Sequence, residues 1–202
     1  MIAQGTPEFF AQRLGHVTAS MMSHVLAVGK SGEALTRKNY RLQLVAERMS
    51  GKVAESFSSS AIEFGIATEP LARMQYESYA GTLVDLAPFC THPSIKWVGA
   101  SPDGFVNDGL LEIKCPNTQT HLSYRLDNRC PPRYVDQIQC QLWCTERDWA
   151  DFVSFDPRLP ERLQLFVFRV QRDDRLIRDM EKETIKFLSE VEQTINKLEE
   201  IK

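Results

Sequence analysis

Ala100-Ser101-Pro102-Asp103-Gly104-Phe105-Val106-Asn107-Asp108-Gly109-Leu110-Leu111-Glu112-Ile113-Lys114-Cys115-Pro116 is the stretch on which the fold turns. Asp108-Gly109 stands between two apolar runs, and Asp-Gly supplies the positive φ angles of a tight hairpin, so two short antiparallel strands are expected. Side chains alternate along a strand: Glu112 and Lys114 share one face, while Leu111 and Ile113 pack on the other. Asp103, just ahead of the first strand, is carried across to face Glu112 when the chain folds back. Two carboxylates and an ammonium then surround one point.

Such a group suits hydrolysis of a phosphodiester. Carboxylate oxygens are hard ligands for Mg²⁺, which keeps several waters and a substrate phosphate in its shell. A metal held there polarises the phosphate and lowers the pKa of its water, while Lys114 orients the nucleophile and offsets developing charge. Glu-Ile-Lys by itself is more often an ordinary charged pair on a surface hairpin. Ser-Pro-Asp-Gly, one hairpin upstream, favours the site.

Pro102-Asp103 followed by Glu112-Ile113-Lys114 resembles the PD-(D/E)xK nuclease signature. Arg13-Leu14-Gly15-His16-Val17-Thr18-Ala19-Ser20, then Gly65 with Glu69, then the quoted hairpin, then Gln137-Ile138-Gln139 with Trp143 follow in an order similar to the lambda exonuclease family of phage recombination nucleases. The resemblance implies a restriction-endonuclease-like α/β fold, a central mixed sheet flanked by helices on both faces. It implies a Mg²⁺-dependent enzyme that digests one strand of linear double-stranded DNA from its 5′ end to 5′-mononucleotides, leaving a 3′ overhang for strand annealing. Two Mg²⁺ ions per site, with Mn²⁺ as substitute, are then held by Asp103, Glu112 and the carbonyl of Ile113, with Glu69 assisting at the second metal. By matched position, Lys114 activates or steadies the attacking water and Arg13 with Ser20 holds a 5′-terminal phosphate. Ser101 and Gln137 match positions facing that phosphate, and the Gln137 amide can also orient a water. The family further implies a homotrimeric ring around the DNA and a phage single-strand annealing protein as partner. That places a phage- or prophage-encoded protein in the cytoplasm of a bacterial host.

The 202 residues suffice for one well-buried domain and no stretch reads as a linker, so 1–202 is taken as a single nuclease domain. No apolar run approaches membrane-span length, and residues 1–6 lack a charged-then-apolar leader, so a cytoplasmic protein without a membrane span is expected. Five cysteines, odd in number and without a C-x₂-C pair, point to free buried thiols rather than disulfides or an iron–sulfur cluster. The formal charge of −3 argues against a general DNA binder, but residues 1–60 hold seven Lys/Arg against four acids.

Thr6-Pro7 reads as a helix start and Gly15 as its stop. Thr18 or Ser20 opens a second helix reaching Val28, whose N-terminus beside Arg13 makes a phosphate pocket; plain capping beside a solvated Arg is the competing reading. Residues 36–50 form a basic helix closed by Gly51, with Lys30, Arg37 and Arg41 as candidates for the DNA backbone or as a solvated face. After a Ser-rich loop at 56–60, residues 61–79 have helical spacing that Pro70 interrupts. Strands are expected at 81–90, 95–100, 149–155 and 163–170, and helices at 117–127, 134–145 and from Asp173 or Asp174 onward. Leu188, Val191, Ile195 and Leu198 form a seam for core packing or a second subunit. Arg125, Arg129 and Arg133 are loop cations that meet phosphates or water. Two alternatives stand beside the exonuclease. An endonuclease of the same fold shares every metal ligand but does not need Arg13 and Ser20. A non-catalytic DNA- or partner-binding module does not need Asp103, Glu112 and Lys114 intact.

Overall fold

The computed structural model describes residues 4–53 and 59–201, so 56–58 of the Ser-rich loop and the first three residues lie outside the described residues. In chain order the elements are α1 (Pro7–Arg13), β1 (Val17–Thr18), a 3-10 turn (Ala19–Met21), α2 (Met22–Val25), β2 (Val28–Gly29), β3 (Gly32–Glu33), α3 (Leu35–Ser50) and α4 (Ser60–Ala80). Then follow β4 (Cys90–Thr91), β5 (Val98–Ala100), β6 (Gly104–Val106), β7 (Gly109–Lys114), α5 (Thr118–Asp127), α6 (Pro132–Thr145), β8 (Trp149–Phe155), α7 (Glu161–Gln164), β9 (Leu165–Gln171) and α8 (Asp174–Glu199).

The central sheet runs β6-β7-β8-β9, with β7 and β8 parallel and the outer pairs antiparallel. Helices cover both faces. Leu110 and Phe152 pack with Ile138 and Leu142 of α6, whereas Leu111, Ile113 and Val153 pack with Ala72 and Tyr76 of α4. The period of two along β7 therefore sends Glu112 and Lys114 to the α6 side, as the sequence predicts. A second sheet, β1-β5-β4, joins α2, α3, α6 and α8 around Val17, Tyr40, Leu44, Val98, Met180 and Phe187. Local chemistry ends the helices. Thr6 accepts from the Phe9 N–H and Asn117 from the Thr120 N–H, while Gly51 and Gly81 close α3 and α4 with φ of 65° each.

Four expectations need correction. The hairpin turn is Asn107-Asp108, since Val106 pairs with Gly109, and Asn107 carries the positive φ of 51°. Gly109 is needed for a different reason: a Cβ there would lie 2.3 Å from the Trp149 ring. The second helix does not begin at Thr18, because Val17 and Thr18 pair in parallel with Val98 and Gly99 and the Thr18 N–H donates to Tyr40 Oη at 3.1 Å. Only the 3-10 turn and the four-residue α2 follow. Pro70 does not break α4, which stays anchored by the buried stripe Thr68, Ala72 and Tyr76 while Ile66 and Met74 face outward. The clash of Pro70 falls on the turn of exposed Ile66, whose carbonyl can face water. Residues 81–90 are mostly irregular, paired through one bridge between Asp85 and Phe105 and through Cys90.

The basic helix is also explained differently. Arg37 is buried, donates to the Val25 carbonyl and pairs with Glu33 and Glu190; Arg41 pairs with Glu33 at 2.8 Å. Arg48 lies over the Trp97 ring at 4.4 Å and pairs with Glu192. These cations fasten α3 to α8, Arg37 through Glu190, Arg41 through Thr194 and Arg48 through Glu192, while Lys30 is exposed on the β2–β3 turn. Arg125 donates to the carbonyls of Leu165 and Arg162, and Arg133 to Tyr124 Oη. In α8, Leu188, Val191 and Ile195 pack into the core and Leu198 stays partly exposed. The cysteines are free; Cys140 and Cys144 lie together in the core around the second sheet with Cys90 near Cys144, while Cys130 is on the α6 face of the central sheet and Cys115 on the α4 face.

Candidate active site

The site forms where β6 stops short and β7 continues. Asp103 precedes β6; its N–H donates to the Leu111 carbonyl at 3.0 Å, and its Oδ2 accepts from the Ile113 N–H at 2.6 Å. Both main-chain groups of a strand residue point to the same edge, so the Ile113 carbonyl faces Asp103 past the end of β6. Glu112, 1 % exposed, reaches toward α6. Its Oε1 accepts from Lys114 Nζ and from Gln137 Nε2, each at 2.5 Å, and its Oε2 accepts from Gln141 Nε2 at 2.5 Å.

One recess of about 170 Å³ gathers most of the expected residues: Arg13, Ser20, Ser101, Asp103, Glu112, Lys114 and Gln137 line it, together with Gln4, Thr18 and Ala19. Glu69 stands beside it rather than in it. Glu69 lines an adjoining cavity of about 490 Å³ that Asp103 and Arg13 also border, and its carboxylate is paired with Arg73 at 2.5 Å.

Charge in the recess is unevenly placed, with Asp103, Glu112 and Lys114 together and Arg13 apart from them. Burial pushes the Asp103 carboxyl well above the usual range, and the neighbouring Glu112 charge pushes it further. Burial works against a charged Lys114, yet Glu112 and Asp103 outweigh it and keep the ammonium protonated above its ordinary pKa. Two crowded oxygen donors with one counter-charge, next to main-chain oxygen, make a donor set that fits a small hard cation. The other end of the recess suits an anion. Burial lowers the pKa of Arg13, its guanidinium lies over the Phe9 ring at 5.2 Å, and among the described residues no carboxylate is within ion-pair distance of it. Ser101 Oγ is buried without a hydrogen-bond partner among the described residues, and Ser20 Oγ sits 3.4 Å from Thr18 Oγ1.

Three residues of this neighbourhood were not assigned from sequence. Gln141 follows Gln137 by one helical turn, a spacing legible in the sequence. Thr18, a helix cap by its local sequence, lines the recess through its place in β1. Gln4 donates to the Pro102 carbonyl at 2.8 Å, a contact across the fold that carries no local signal.

Residues 8–148 match the YqaJ-like viral recombinase domain. Among solved structures, the alkaline exonuclease LHK-Exo from Laribacter hongkongensis is 43% identical, with a TM-score of 0.89 and 96% of each chain covered. A second structure of LHK-Exo, in complex with dAMP, matches equally well. A phage-related exonuclease from Haemophilus somnus 129PT, 15% identical with a TM-score of 0.70 over 91% of this chain and 96% of that one, shares the fold. No curated protein matches the chain. The architecture is thus the restriction-endonuclease-like one, and the chain belongs to the YqaJ-like viral recombinases of the lambda exonuclease family.

Proposed function

We propose that this protein is a Mg²⁺-dependent exonuclease that enters linear duplex DNA at an end, releases 5′-mononucleotides from the 5′ strand and leaves a 3′ overhang for recombination by strand annealing. The observation that carries this reading is the shared recess, in which Asp103, Glu112 and Lys114 meet Arg13, Ser20 and Ser101. Reactive groups and an anion-seeking stop lie in one space, which a nuclease acting within a chain would not need. That LHK-Exo is described in complex with dAMP, a nucleoside monophosphate, supports the product class.

Asp103, Glu112 and the Ile113 carbonyl would hold the metal ions, with Glu69 assisting from the adjoining cavity and Mn²⁺ able to replace Mg²⁺. When bound, the metal supplies Lewis-acid polarisation of the phosphate and a water of lowered pKa. The chain's own groups do the rest. Lys114, 2.5 Å from the Glu112 carboxylate, is placed to activate or steady the attacking water and to offset charge on the phosphate. Gln137 restrains Glu112 from α6. Arg13 and the unpartnered Ser101 hydroxyl, with Ser20, seat the 5′-terminal phosphate and so set where the strand begins. The resemblance also supports a homotrimeric ring on the DNA and a phage single-strand annealing protein as partner, in a bacterial cytoplasm. Among the described residues no helix is long and apolar enough to cross a membrane.

Linear and covalently closed duplex, supplied together with Mg²⁺, test the proposal. Loss of the linear form alone, stopped by EDTA, is expected; rapid nicking or linearisation of the closed form would turn the assignment to an endonuclease.

A further inference from the structure

We infer that Gln141 is a positioning residue for Glu112, one that holds the carboxylate by Oε2, the oxygen that keeps a direction open for a cation. This rests on the metal-dependent reading above and extends it to a residue the nuclease signature does not contain.

Gln137 and Gln141 are one turn apart on α6, so their amides leave the helix on the same side. Each takes a different oxygen of Glu112: Gln137 Nε2 donates to Oε1 and Gln141 Nε2 to Oε2, both at 2.5 Å. Lys114 Nζ is also 2.5 Å from Oε1. A carboxylate oxygen has two acceptor directions. Both are taken on Oε1, whereas Oε2 has one donor and one direction open. The Gln141 amide is orientated by this contact, since the reverse placement would set oxygen against oxygen.

Packing does not explain the residue. Gln141 is 0 % exposed, within a stretch of α6 where Ile138 and Leu142 are core, and its Oε1 has no hydrogen-bond partner among the described residues. A buried carbonyl without a donor is costly, and Leu or Met would avoid that cost at a position needed only for volume. The compensating contact is the one to Glu112. Partners of this kind, which orient a ligand without touching the metal, typically change metal affinity 10- to 100-fold when lost.

The test uses Gln141→Met, which keeps the volume and removes the donor, and Gln141→Asn, which keeps an amide in the core but withdraws it by one methylene. Mn²⁺ binding to the DNA-free protein is measured by calorimetry and electron paramagnetic resonance, alongside thermal unfolding and metal-free binding to 5′-phosphorylated duplex. Both variants are expected to bind Mn²⁺ about 10- to 100-fold more weakly. The Mn²⁺ midpoint for cleavage should move by the same factor, with kcat recovered at excess metal and the KM for DNA unchanged. If Gln141→Met does not fold, Gln141→Asn decides. Unchanged Mn²⁺ affinity in a folded variant, or a loss of kcat that excess metal does not restore, would overturn the role. A wild-type protein that neither binds Mn²⁺ nor needs a divalent ion to cleave would instead remove the metal-dependent reading itself.

Discussion

Replacing Arg13 with Ala should abolish most of the advantage that a 5′-phosphorylated end has over a 5′-hydroxyl end. The magnitude follows from the setting of the guanidinium. No carboxylate pairs with it among the described residues, and burial already disfavours its charge, so an incoming phosphate gains a cation that needs no partner broken. At an effective dielectric of about 20, opposite unit charges 4 Å apart attract by roughly 4 kcal/mol before desolvation is subtracted. Hydrogen bonds to charged groups retain about 1.5–3 kcal/mol net, equal to a factor of roughly 10 to 160. The assay is kcat/KM on linear duplexes that differ only in the terminal phosphate, run on wild type and Arg13→Ala. Loss of the guanidinium also removes its contact over Phe9, which weakens the first helix, but that affects both substrates alike and cancels in the ratio. A ratio unchanged by the substitution would show that Arg13 does not read the phosphate, whatever happens to the overall rate.

Lys114→Ala should slow cleavage at least ~100-fold while DNA binding persists, the scale of deleting an electrostatic or proton-transfer group; near-normal turnover would make the lysine structural. Gly109→Ala should destabilise by about 1–3 kcal/mol and lower Tm by roughly 2–12 °C, as expected for overpacking. The indole it would strike at 2.3 Å is held by Asp108 and stacked under Arg169, and an unaltered melting curve would contradict that rigidity. His121 is buried with Nε2–H donating to the Leu163 carbonyl and Nδ1 accepting from Ser154, so burial depresses its pKa and favours the neutral ring. The unfolded chain, titrating near ~6.5, then binds the extra proton first, and stability should fall as pH drops through that value toward the folded pKa. His121→Gln should reduce the slope of chemical-denaturation stability between pH 7.5 and 5.5, His16 and His92 retaining their share; a slope as steep as wild type would count against it.

The Asp103–Lys114 hairpin was legible because its information is local. Alternation fixes the faces of Glu112, Ile113 and Lys114, and Asp103 lies close enough in sequence that folding back must bring it near. What escaped depends on partners far along the chain. Thr18-Ala19-Ser20 has good helix-capping chemistry, but the Tyr40 hydroxyl accepts the Thr18 N–H and parallel pairing with β5 claims the segment first. The arginines of α3 look like a nucleic-acid face until Glu190 and Glu192 of the last helix meet them. Gly109 was assigned to a turn by its dipeptide, whereas an indole forty residues later is what excludes a side chain there. Gln4 has no pattern to betray it at all.

The tethering of α3 to α8 has a consequence for how the molecule searches. With Arg37, Arg41 and Arg48 engaged by internal partners, the flank keeps only exposed lysines such as Lys30 and Lys38 for the body of a duplex, and raising the salt should release fewer ions from DNA's atmosphere there than its arginine count suggests. On the proposed reading, attraction is concentrated at a terminus. The supply of broken ends, rather than the mass of nucleic acid around it, would then govern how busy the molecule is.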